Sequence, residues 1–151
     1  MSKYVIGIDP DSKKHGVATY KDGKLIRLDM MDLMELMTYL QNINSGLLFG
    51  EWIDIHIEDN VSNKRVFADR LRKAKTMAVA ARMGSDIGKL KQCQVELERM
   101  ITHLFGADNL FKHFQSNQWK KNKAQFEKVT GWTGRSNEDT RSAAYFGYLG
   151  L

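Results

Sequence analysis

Apolar and polar positions change period several times along the chain, and each change marks an element. Residues 4–9, Tyr-Val-Ile-Gly-Ile-Asp, form a β-rich apolar run that closes at Asp9-Pro10, a turn signal. Residues 16–20 read as a second strand, Asp22-Gly23 is a hairpin dipeptide, and residues 24–28 read as a third strand. Asp29 can cap a helix in which Leu33, Leu36, Met37 and Leu40 recur at helical spacing and which Asn44-Ser45-Gly46 ends. Residues 52–58 alternate, with Ile53, Ile55 and Ile57 on one face and Trp52, Asp54, His56 and Glu58 on the other. Phe67, Leu71, Ala74, Ala78 and Ala81 define a further helix face, which Gly84 and Gly88 interrupt. Ser85 can then cap another helix carrying Ile87, Leu90, Leu97, Ile101 and Leu104. Residues 111–115 read as a last short strand. Ser136-Asn137-Glu138-Asp139 starts a final helix through Ala143, Ala144 and Phe146. This order predicts an α/β or α+β domain, a mixed sheet covered by helices.

Length changes the picture little: 151 residues without repeats or a Pro- or Ser-rich linker predict one domain over 1–151. No apolar run approaches the roughly 20 residues of a membrane span, and no secretory leader pattern opens the chain. The single cysteine, Cys93, excludes an internal disulfide and suits a reducing cytoplasm. Charge says more. The net charge is +5, and basic residues cluster. Over 64–75 stand Lys64, Arg65, Arg70, Arg72, Lys73 and Lys75, opposed only by Asp69. Over 112–128 stand Lys112, Lys120, Lys121, Lys123 and Lys128, opposed only by Glu127 and interleaved with Phe114, Trp119 and Phe126 just after Phe111. The aromatics taken singly read as core residues. The two clusters together point to a polyanionic partner, nucleic acid.

Candidate chemistry lies in where the carboxylates fall. Asp9 closes the first strand, Glu58 closes the alternating strand, and Asp139 falls in the first turn of the last helix. Sites in helix-covered sheets form at the carboxyl ends of strands. Oxygen ligands suit Mg²⁺ or Mn²⁺, with positions left for water and phosphate, and paired ions can hydrolyse a phosphodiester. Each acid also has an ordinary explanation. Asp-Pro is a common turn, Glu58 precedes the loop residues Asp59-Asn60, and Ser136 with Asp139 has the spacing of a capping box.

Val5-Ile6-Gly7-Ile8-Asp9-Pro10-Asp11-Ser12, followed by Gly16, resembles the first strand of the RuvC-type Holliday-junction resolvases. Ile55-His56-Ile57-Glu58-Asp59 is similar to their second acidic strand, and the region of Gly84 and Gly88 to the passage into their long helix. Gln118-Trp119-Lys120-Lys121 resembles a basic segment of phage-type members, and residues 135–147 resemble the terminal acidic helix. Sugar-kinase-like ATPases also open with Gly-x-Asp, but the Gly-rich phosphate loop that follows in them is absent here.

The resemblance implies an RNase H-like fold and a Mg²⁺-dependent endonuclease, with Mn²⁺ as substitute, that cuts four-way DNA junctions as a homodimer. It needs no small-molecule cofactor and would work in the cytoplasm of a bacterial or phage-infected cell. Asp9, Glu58 and Asp139 become metal ligands and catalytic residues. Lys120, or Lys121, neutralises the scissile phosphate or steadies the attacking water. Lys64, Arg65, Arg72, Lys73, Lys120, Lys121 and Arg135 become DNA contacts, and residues 67–104 the dimer contact. Two positions depart from the family. Its second helix aspartate is Ser142 here, so Ser142, a water or Glu138 completes the metal site. Its Gly after Asp-Pro is Asp11. Asp139 and Ser142, three residues apart, share a helix face, and Glu138 lies about 100° away. A nuclease of the same fold acting on flaps, forks or RNA/DNA hybrids, or a basic nucleic-acid-binding module without catalysis, are the other readings.

Overall fold

The computed structural model describes residues 3–61 and 71–151. The expectations placed on Lys64, Arg65, Phe67, Asp69 and Arg70 lie outside them.

Strands β1 (Lys3–Asp9), β2 (His15–Lys21) and β3 (Lys24–Met31) form the expected meander. Helix α1 (Leu33–Gly46) leads to β4 (Trp52–Glu58), followed by helix α2 (Met77–Phe105). A 3₁₀ turn at Ala107–Asn109 feeds β5 (Leu110–His113), and helices α3 (Lys123–Thr130) and α4 (Glu138–Tyr148) complete the order. The sheet runs β3-β2-β1-β4-β5. The meander pairs are antiparallel, while β1 with β4 and β4 with β5 are parallel. Parallel pairing sends the carboxyl ends of β1, β4 and β5 to one edge. The fold is therefore mixed α/β, a five-stranded sheet flanked by helices.

Strand parity assigns the two faces. Ile6, Ile8, Val17, Ile53, Ile55 and Ile57 pack against Leu36 and Leu40 of α1 and Leu97 and Ile101 of α2. On the opposite face Val5, Ala18, Tyr20 and Leu25 meet Ala143 and Ala144 of α4, Phe126 of α3 and the buried Trp119. That second face carries Gly7 and Gly16 and admits α4 very closely. A Cβ built on Gly7 would overlap the Ala143 carbonyl, and one on Gly16 the Asp139 carbonyl. Tyr20 Oη donates to the Ala144 carbonyl at 2.7 Å and fixes the helix lengthwise.

Four expectations are corrected. Helix α1 is capped by Asp32, not Asp29, because β3 continues to Met31 and Asp29 pairs there with Arg27. Asp32 Oδ1 accepts from the Glu35 amide while Glu35 Oε1 accepts from the Asp32 amide, a complete capping box. The break falls before Met77, not at the glycines: residues 73–76 are not helical, so Leu71 and Ala74 share no helix face with Ala78 and Ala81, while Gly84 and Gly88 interrupt nothing, Ser85 caps nothing, and α2 runs unbroken for 29 residues from its cap at Thr76. Two glycines at about 1 kcal/mol each are outweighed by the surrounding Ala, Leu, Lys, Gln and Glu. Strand β5 is four residues rather than 111–115, beginning at Leu110. Finally, α4 is capped by Asn137 in a reciprocal box with Thr140, so Ser136 and Asp139 do not cap. Helix α3, unexpected from the sequence, inserts Phe126 beneath Trp119, ring centroids 5.7 Å apart.

Two glycine substitutions separate the close approach from mere helix content. Gly7→Ala should destabilise the fold by about 3 kcal/mol, because its neighbour is backbone that cannot yield. Gly84→Ala, with nothing within 4 Å, should stabilise it by about 0.5–1 kcal/mol. Urea unfolding of both variants beside the wild type reads the difference.

Candidate functional site

At the carboxyl edge of the parallel strands, Ile8 pairs with Ile57, which sets Asp9 beside Glu58 on the face covered by α4. Asp9 pairs across β2 with Gly16. Because Gly16 has no side chain, the backbone of Asp139 rests on it. One ladder position thus brings Asp9 and Asp139 together from 130 residues apart in the chain.

Asp9 is 6% exposed, and its Oδ2 has no hydrogen-bond partner. Burial pushes its carboxyl well above the usual carboxylate range, and the charge of Glu58 pushes the same way. Lys120 and the Ser142 hydroxyl act against them without prevailing. Lys120 Nζ lies 3.8 Å from Asp9 Oδ2 and 3.8 Å from Asp139 Oδ1, so one ammonium faces both acids.

The segment that presents Lys120 is tied to α4 by two side chains the sequence reading missed. Arg141 donates through Nε to the Trp119 carbonyl at 3.2 Å, through Nη2 to the Lys120 carbonyl at 2.9 Å and through Nη1 to Ser136 Oγ at 3.2 Å. Asn117 Oδ1 accepts from the amides of Trp119 and Lys120, while its Nδ2 donates to Ser142 Oγ at 2.6 Å. The signal for Arg141 was present: a cation on the inward face of a helix that continues Ser-Ala-Ala. No spacing rule would have found Asn117.

Other expected residues fall as follows. Ser142 is buried behind Asp9, joined to Asn117. Glu138 points away and pairs with Lys121 at 2.8 Å, which holds its carboxyl below the usual range. Arg72, Lys73, Lys121 and Arg135 are exposed. Lys112 pairs with Glu98 at 3.1 Å. Of the interleaved aromatics, Trp119 and Phe126 are core, as expected, but Phe111 and Phe114 are exposed. Asp11 adopts no left-handed backbone. Its amide donates to His15 Nδ1 and its Oδ1 accepts from the Ser12 amide, a turn that needs no glycine.

Among the described residues, no group of three or more His, Cys, Asp or Glu lies close enough to hold a metal ion by itself. Asp9 and Glu58 form a pair, and Asp139 is reached through Lys120. Nor, among the described residues, is any helix long and apolar enough to cross a membrane. In comparisons with known proteins, no family model matches the chain, and no curated protein and no solved structure matches it significantly.

The buried carboxyl makes a pH prediction. Asp9 binds its proton more tightly folded than unfolded, so in metal-free buffer stability falls as pH rises from the unfolded value near 3.8 through the folded one. Asp9→Asn should therefore raise the melting temperature at neutral pH, with the gain vanishing as pH approaches 4. Thermal melts in chelator across that window check it; a gain independent of pH would contradict the burial argument.

Proposed function

We propose that the chain is a metal-dependent, structure-specific endonuclease with an RNase H-like fold, acting on branched DNA as the RuvC-type resolvases it resembles do. The observation that carries this reading is the buried carboxyl of Asp9 beside Glu58, its Oδ2 without a hydrogen bond and met only at 3.8 Å by the ammonium that also faces Asp139. A buried anion next to a second one is unfavourable unless a cation is bound between or beside them. Mg²⁺ suits the pair, since it takes one or two carboxylates and completes its shell with water and phosphate oxygens. Asp9 and Glu58 would hold it. Bound there, it would activate a water and neutralise charge on a phosphodiester.

The chain's own residues supply the rest. Lys120 directs a fixed positive charge to the same edge. Lys121, Arg135, Arg72 and Lys73 offer exposed cations for flanking phosphates. A four-way junction is two-fold symmetric and calls for paired incisions, hence a dimer. Helix α2 carries a suitable seam. Gln94, Leu97 and Ile101 are buried in the domain, and the same three-four spacing continues outward through Leu90, Ile87, Met83 and Ala80, none fully buried.

Three results test the proposal. Asp9→Asn and Asp139→Asn should each lower junction cleavage in Mg²⁺ by about 100-fold or more. Binding in Ca²⁺, read by gel shift, should persist. Because Asp139 does not cap α4, its substitution should cost less than about 1 kcal/mol, so a folded Asp139→Asn chain that still cuts refutes the reading. Affinity should fall with salt at a slope of about −0.9 per phosphate contacted, and the Lys120→Ala, Lys121→Ala double variant should flatten it. Ile87→Glu should convert a dimer to a monomer in light scattering, abolish paired incision and leave a folded chain whose melting temperature no longer depends on protein concentration.

A further inference from the structure

We infer that Lys120 takes the place of a second cation, so that this site binds one divalent metal ion, at Asp9 and Glu58, and no more. The inference deepens the endonuclease reading and rests on it for the substrate, but the metal count stands on the residues alone.

Charge balance comes first. Asp9, Glu58 and Asp139 bring three carboxylates to the strand edge, and Lys120 brings one ammonium equidistant from Asp9 and Asp139. With Asp9 ionised, two negative charges are left, which one divalent ion neutralises in place of the proton. The Oδ2 of Asp9, nearly withdrawn from solvent and without a hydrogen bond, marks where that ion is wanted. The other acids close by are engaged: Glu138 with Lys121, Asp59 with the Val61 amide, Asp11 with the Ser12 amide.

Lys120 also stays where it is needed. A surface lysine has a long flexible stem, and neighbouring Lys121 is 79% exposed at its side chain against 41% for Lys120. The backbone of Lys120 is held from both sides, its carbonyl by Arg141 and its amide by Asn117. The stem therefore starts from a held backbone and presents its ammonium to both acids, so a second metal ion approaching between Asp9 and Asp139 meets a like charge at short range. Ser142 offers that ion no charge. It is a neutral hydroxyl that already accepts a short bond from Asn117.

The test counts metal, not product. Mn²⁺ is titrated into the full chain without DNA, and free ion is followed by electron paramagnetic resonance. The wild type should bind one ion per chain, and Asp9→Asn should lose it. Lys120→Met keeps the length and removes the charge. It should admit a second ion or tighten the first by about tenfold or more. Ser142→Asp should also admit a second. Two ions in the wild type, no saturable binding, or a Lys120→Met variant indistinguishable from the wild type overturns the inference. Cleavage is read separately on junctions, forks and hybrids. A chain that holds one Mn²⁺ and responds to Lys120→Met but cuts none of them keeps this inference and refutes the endonuclease reading. One that cuts junctions with two Mn²⁺ bound does the reverse.

Discussion

The contact between α4 and the strands beneath it is the constraint on which the site depends. Helices normally stand off a sheet by the depth of two side chains. Here Gly7 and Gly16 remove one layer, and the helix backbone lies against the strand backbone. Ala143 and Ala144 keep the helix side of that contact thin. Asp139 is then held over the ladder position of Asp9, and Arg141 and Ser142 come within reach of the segment 117–120. Had either glycine a side chain, the helix would lift, and acid, base and hydroxyl would all part together.

Burying Asp9 works against stability, and the structure does little to relieve it. A carboxylate that only needed to be tolerated would be supplied with amide donors, as Asp32 and Asp59 are. Asp9 has instead a second acid beside it and an ammonium at the outer limit of an ion pair. Groups left in such a state are characteristic of sites where a charged ligand completes the arrangement.

Most of the architecture was legible because period and parity were clean. The alternation of 52–58 gave β4 and its two faces, and Asp22-Gly23 gave the first hairpin. The acids at positions 9, 58 and 139 were legible as strand-end and helix-start residues. Their relation to one another was not, since it depends on two glycines whose role is spatial. Glycine misled in α2, where composition over a long window overrode two local breakers. Capping misled three times: at Ser85, where no helix starts, and at Asp29 and Ser136, because several Asx and Ser residues compete for each start and the strand or loop before it decides the winner. The hydrogen bonds of Asn117 and Arg141 are tertiary, and no local pattern encodes them.

The same helix placement bears on when the molecule acquires its chemistry. Asp9 and Gly16 lie more than a hundred residues before Asp139 along the chain. Local pairing can assemble the β1–β3 meander early, but loop closure over more than a hundred residues precedes any meeting of Asp9 with Asp139. Competence at this edge therefore waits on the docking of α4. Without that docking, Asp9 and Glu58 remain neighbours on paired strands but lack the environment that sets them apart from any other carboxylates on a surface.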